Sequence, residues 1–141
     1  MPEIAKPDSF ISQDVESSRL FFLDPIEERN FAVVFGGFER CEAGYEIDRE
    51  NFPWYCLEFV SHGAGMLRLG GHDIELRPGS FFIYGPSQPH RIESSRDHPL
   101  GKYFVGFTGS DVAGFLESYD MPSGFSRNYP ARCHRESLRG R

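Results

Sequence analysis

From Phe31 to Gly109 the chain is a succession of short runs rich in aromatic and branched side chains, each cut off by Gly, Pro, Asn or Asp. They read "FAVVFGGFERC", "WYCLEFV", "GMLRLGG", "HDIELRPG", "SFFIYGP", "HRIESS" and "KYFVGFTG". Breaks at roughly 8- to 12-residue intervals are the mark of strands joined by tight turns, and they leave a sandwich or a small barrel as the available folds. Within "LRLGGHDIEL" the Gly70-Gly71 pair can take the positive φ angles of a two-residue turn. Leu67 and Leu69, with Ile74 and Leu76, alternate against polar neighbours, so one face of this hairpin is expected to be buried and the other wet.

Length and charge then limit what such a fold can do. A chain of 141 residues makes one domain large enough to bury a core without disulfide staples. Its 15 basic and 21 acidic residues give a formal charge of −6, which leaves no basic footprint for nucleic acid or an anionic membrane. Cys41, Cys56 and Cys133 show no CxxC spacing, and "MPEIAKPDSF" lacks the charged and apolar regions of a signal peptide. A cytoplasmic location is expected, with the cysteines as small apolar side chains. No apolar stretch approaches the roughly 20 residues of a spanning helix.

Three segments are expected: a flexible arm over 1–18, a β-domain over 19–120, and a turn-rich tail or linker over 121–141. "QDVESSRLFFLD" admits a helical turn or a first strand. "SDVAGFLESYD" predicts one short helix, capped by Ser110 or Asp111 and placing Val112, Phe115, Leu116 and Tyr119 on one side to cover an open sheet edge. The tail carries Arg132, Arg135, Arg139 and Arg141 without interleaved aromatics, a weak attraction for nucleic acid.

The order of the punctuation narrows the choice. Gly63-Ala64-Gly65 closes one strand, and Pro78-Gly79 opens "SFFIYGPSQPH", which places Pro86 and His90 at set offsets. This resembles the second cupin motif, and "FVSHGAGML" resembles the end of the first, which implies an all-β cupin-like jelly-roll barrel with a short C-terminal helix. Metal-dependent cupins add two histidines and a carboxylate in the first motif. Here that stretch reads "IDRENFPWYCLEFV": Glu50 and Glu58 are present, no histidine is, and His62 and His72 sit at a strand end and in a hairpin. With fewer than three protein ligands in view, neither a metal nor another cofactor is expected.

Taken whole, Phe31 to Gly109 resembles the N-terminal sensor domain of the AraC family of bacterial transcription regulators. An Arg-bearing strand, "G-x-G", an "L-x-P-G" turn, "P-x-x-x-H" and an aromatic strand ending in "F-x-G" follow in that order, with Ser80 in place of the usual Asp of the turn. The resemblance implies a homodimer that binds a sugar-like small-molecule effector. It also implies DNA contact only through a C-terminal helix-turn-helix domain absent from these residues. Arg49 falls where the arabinose-responsive member has a sugar-binding arginine, and His90 falls on the motif histidine. Lys102 and Phe104 fall at pocket positions of the last strand. Ile92 stands where that member has a tyrosine, so arabinose itself is not implied. Tyr84, Tyr55 and Trp54 are further aromatic candidates, but strand parity is easily misjudged by one residue. For Arg49 the alternative is a surface pair with Asp48 or Glu50, for His90 a strand-end bond to backbone, and for Phe104 ordinary core. Two other functions stay open: a stand-alone cupin enzyme (a metal-dependent sugar isomerase or oxygenase) using His90 with Tyr84 or Glu58, and a dimerisation module with an empty barrel.

Overall fold

The structure, a computed structural model, describes residues 15–23 and 30–128, and side chains from residue 21 onward. The expected arm up to residue 14, Cys133 and the four tail arginines lie outside the described residues.

Alternation and turn chemistry produce ten strands and one helix among the described residues. They are β1 (Val15–Phe22), β2 (Ala32–Cys41), β3 (Glu46–Arg49), β4 (Tyr55–His62), β5 (Gly65–Leu69), β6 (His72–Leu76), β7 (Ser80–Tyr84), β8 (His90–Ser94), β9 (Gly101–Thr108), α1 (Val112–Ser118) and β10 (Ser126–Asn128). Two antiparallel sheets form, one in the order β1-β2-β9-β4-β7-β10 and the other β3-β8-β5-β6. The inward residues of both, among them Phe35, Cys56, Val60, Leu67, Leu69, Phe82 and Ile92, make one core. The sheets do not close on each other, but the arrangement is that of a cupin barrel, the all-β fold the motifs imply.

Several local expectations resolve here. "QDVESSRLFFLD" yields a strand, so β1 begins inside the segment reckoned as arm, and β10 takes three residues of the segment reckoned as tail. The β5–β6 hairpin turns on Gly70 (φ 60°) and Gly71 (φ 77°) as expected, with Leu67, Leu69 and Leu76 fully buried. The helix is a correction in part. Asp111 stands at its N-cap without a side-chain cap bond, and only Val112 and Leu116 are buried. They meet Ile83 and Phe107 on the outer face of the six-stranded sheet, where parity points these two strand residues away from the barrel. Phe115 and Tyr119 stay exposed because seven residues give α1 just two turns, and its apolar stripe is no wider than those two side chains.

The "G-x-G" turn exists to bring two chain segments into contact. Gly63 has φ +77°, and a Cβ there would lie 2.0 Å from the Pro99 carbonyl oxygen. At Gly65 the same atom would lie 2.2 Å from the Glu93 carbonyl oxygen. Replacing Gly63 by Ala therefore forces both a strained φ and a backbone displacement, and should cost about 2 kcal/mol or more. A drop of several degrees in the calorimetric unfolding midpoint would confirm it, and an unchanged midpoint would contradict it.

Candidate functional site

Sheet parity carries charge into the barrel. On β2, β9 and β4 the inward rows read Phe35-Gly37-Glu39, Lys102-Phe104 and Cys56-Glu58-Val60, each charged residue among apolar neighbours. Glu39 lies directly opposite Lys102, whereas Glu58 faces Phe104 and is the diagonal neighbour of Lys102. Both carboxylates therefore converge on one ammonium. Lys102 Nζ sits 2.6 Å from Glu39 Oε1 and donates to Glu58 Oε1, with all three residues no more than 4% exposed. Each carboxylate also accepts from a phenol: Tyr45 donates to Glu39 Oε1 at 3.0 Å and Tyr84 to Glu58 Oε2 at 2.7 Å.

Burial alone would raise the Glu58 carboxyl, but the charge and hydrogen bond of Lys102, with the Tyr84 hydroxyl, hold it below its ordinary value. Burial likewise opposes the Lys102 charge, yet Glu58, Tyr45 and Glu39 keep the ammonium well above its usual range. The Tyr45 and Tyr84 phenols are raised, chiefly by burial, and act as neutral donors. Cys41 is pushed up to about 12 and Cys56 is raised as well, both mainly by burial, so neither offers a thiolate.

Beside this cluster is a pocket with about 30 Å³ of free space, walled by Phe35, Phe52 and Phe104 and by the polar groups of Glu39, Tyr45, Arg49, Glu58, Tyr84 and Lys102. Four of the five residues singled out in the sequence, Arg49, Tyr84, Lys102 and Phe104, thus meet around one space. Arg49 is half-buried, with its guanidinium carbon 5.0 Å from the Phe52 ring centre. No carboxylate reaches ion-pair distance of it among the described residues, so the surface pair with Asp48 or Glu50 does not form. His90 stands apart from that lining. Its ring is stacked on Tyr84 at 3.7 Å, and Nδ1 lies 3.0 Å from the Gln88 carbonyl oxygen. A carbonyl only accepts, so Nδ1 carries the hydrogen and Nε2 is a bare acceptor, buried with no partner among the described residues. Burial lowers the imidazole below its ordinary value, the Gln88 bond opposing this in part.

Larger hollows lie on the surface. One of about 480 Å³ runs beside the hairpin turn, between Asp48, Arg68, Gly70, His90 and Arg91, so that His90 lines this hollow and not the barrel cavity. Its arginines are spent on neighbours, Arg68 on Asp73 and Arg91 on Glu46 and Glu93, so size alone does not make it the better site. The residues also do not fit a divalent cation. The two converging carboxylates already hold the Lys102 ammonium, His90 lies behind Tyr84, Glu50, His62 and His72 are exposed, and no three His, Cys, Asp or Glu side chains converge among the described residues.

Glu39, Tyr45 and Phe52 escaped the sequence reading. The available signal was parity: Glu39 shares the inward phase of Phe35 and Cys41, but the β2 bulge between Val33 and Phe35 breaks the alternation that would have shown it.

Comparison with known proteins identifies the barrel. The AraC-like ligand-binding domain matches residues 33–137. The chain belongs to that family. It is 26% identical over 109 residues to the Msm operon regulatory protein of Streptococcus mutans, spanning 77% of this chain and 37% of that protein. Among solved structures it is similar to the plu4264 protein of Photorhabdus luminescens, at 19% identity and TM-score 0.51 over 86% of this chain and all of that one. A Cupin 2 conserved barrel domain protein of Salinispora arenicola is similar too, at 19% identity and TM-score 0.51 over 82% of this chain and 97% of that one. These likenesses bear on the fold. No helix among the described residues is long and apolar enough to cross a membrane.

The charge cluster makes a direct prediction for this AraC-like domain. Lys102→Met strands two buried carboxylates and should cost about 3–5 kcal/mol, whereas the neutral triple variant Glu39→Gln/Glu58→Gln/Lys102→Met should recover most of it. Glu58 is lowered on folding, so its stabilisation is present above its unfolded value of 4.5 and lost as pH falls through the folded value. Urea unfolding at pH 7 and pH 4 reads both effects: the triple variant should lose less stability on acidification than wild type, and an equal loss would contradict the assignment.

Proposed function

We propose that this chain is the effector-binding domain of a transcription regulator and that a neutral, polyhydroxylated small molecule of the sugar type binds inside its barrel. The observation that carries the reading is the buried polar cluster beside the aromatic wall. Glu39 and Glu58 supply two negative charges, Lys102 and Arg49 two positive ones, so the lining is formally neutral. A neutral ligand brings no unpaired charge into it. Hydroxyls both donate and accept, matching carboxylates and phenol oxygens on one side and a guanidinium with unspent donors on the other. Phe35 and Phe104 offer apolar faces of the kind that stack on a sugar ring.

Binding is favoured over catalysis because the acid and base candidates are already engaged. Glu58 is bound by Lys102 and Tyr84, and His90, packed against the Tyr84 and Phe52 rings, does not line the cavity. Likeness to a protein named for regulating an operon supports a regulatory role. In this reading DNA is contacted through a separate helix-turn-helix domain of a cytoplasmic homodimer, which suits the −6 charge of these residues.

Isothermal titration calorimetry against neutral pentoses, hexoses and the matching sugar acids tests the reading. A neutral sugar should bind, and Arg49→Ala should weaken it by about tenfold or more, the loss of a charge-assisted hydrogen bond. Binding of the acids alone, or affinity indifferent to Arg49, would contradict it.

A further inference from the structure

The free space of about 30 Å³ at this site holds roughly one water, whereas a cavity that takes benzene is on the order of 150 Å³. A sugar-sized ligand must therefore displace part of the protein. Most of the wall cannot yield cheaply, because Phe35, Glu39, Glu58, Tyr84 and Lys102 sit on strands locked into the six-stranded ladder. Phe52 is different. It comes from the loop joining β3 to β4, its neighbours Glu50, Asn51 and Pro53 are exposed, and its own ring is 2% exposed inside the barrel.

The ring fills a space whose walls are more polar than it is. Its centre lies 5.6 Å from that of Tyr84 and 6.1 Å from that of His90, edge to face in each case, with the Arg49 guanidinium on another side. Among the described residues Arg49 thus spends no donor on a carboxylate and His90 Nε2 is a bare acceptor, around a ring that gives the guanidinium a cation–π face and neither group a hydrogen bond. The loop is tied to the β7–β8 turn at this point, where the Ser87 N–H donates to the Phe52 carbonyl at 2.8 Å.

We infer that Phe52 is a built-in plug standing in the ligand's place, and that binding swings the 50–54 loop outward so that a ligand hydroxyl accepts from Arg49 and donates to His90 Nε2. The inference rests on the ligand-binding reading above. It names the group the ligand must carry at this point: a carbonyl or ether oxygen could accept from Arg49 but has no proton for Nε2. It also sets the apparent affinity, since a site occupied by its own ring binds in proportion to the fraction of molecules in which the ring is out.

The loop carries its own reporter. Trp54 is the single tryptophan of the chain, and it contacts Phe52 at 5.7 Å, Phe35 at 5.6 Å and Phe22 at 6.1 Å between ring centres. Wild type, Phe52→Ala and Phe52→Leu would be titrated with D-xylose, D-galactose and glycerol by calorimetry, with Trp54 emission and acrylamide quenching followed in parallel. Phe52→Leu retains an apolar side chain and guards against a variant that fails to fold. The plug predicts that a polyol bound by wild type shifts Trp54 emission to the red and raises its quenching. It predicts also that Phe52→Ala binds at least tenfold tighter, with Phe52→Leu between. Equal affinity in all three proteins with unmoved Trp54 emission would overturn the plug and leave the ligand-binding reading intact. Absence of binding to all three proteins would overturn both.

Discussion

One ammonium group organises the interior of this barrel. Lys102 extends from the β9 strand into a region with almost no solvent, and two carboxylates on the flanking strands meet it there. Without both partners the charge would be untenable, because an isolated buried ion costs several kcal/mol. With them, the arrangement fixes which way β2, β9 and β4 must face. A one-residue slip of any of the three would carry Glu39, Lys102 or Glu58 to the outer face and leave its partners buried and unpaired. The cluster thus specifies register more firmly than the aliphatic residues around it, which would tolerate many exchanges of similar volume.

The same cluster divides the work between scaffold and loop. The strands hold a polar, pre-ordered floor whose hydrogen bonds are satisfied internally: Tyr45 on Glu39, Tyr84 on Glu58. The Arg49 guanidinium, which reaches no carboxylate among the described residues, and the unpartnered His90 Nε2 lie near the loop side and flank the Phe52 ring. A floor that is complete without ligand and a rim that is not is what a sensor requires. The first keeps the domain folded when empty, and the second gives the ligand something to change.

Much of the fold was legible because its signals are local. Gly70-Gly71 marks its hairpin through positive φ, "G-x-G" marks a close backbone approach, and alternation marks the buried faces of β5 and β6. The candidate site was legible in part. Arg49, Lys102 and Phe104, aligned by the family's motif order, do come together with Tyr84, which the sequence offered only as a further aromatic candidate. Glu39 and Tyr45 were not visible because their partners lie 63 and 6 positions away, and only the paired strands reveal that Glu39 opposes Lys102. Phe52 was hidden for another reason: between Asn51 and Pro53 it reads as loop, and nothing local says that a loop residue enters the core. The helix was misjudged because periodicity gives the spacing of apolar residues but not the area of sheet available to receive them.

The central claim is that ligand binds at the buried cluster and not in the roomier surface hollow beside the hairpin. Amide chemical-shift mapping by NMR, with the neutral sugar of highest calorimetric affinity, addresses this directly. The account predicts that the largest perturbations fall on Glu39, Tyr45, Glu58 and Lys102, with Phe52 and Trp54 moving alongside them. Perturbations confined to Arg68, Gly70, Gly71 and Arg91 would place the ligand outside the barrel and contradict it.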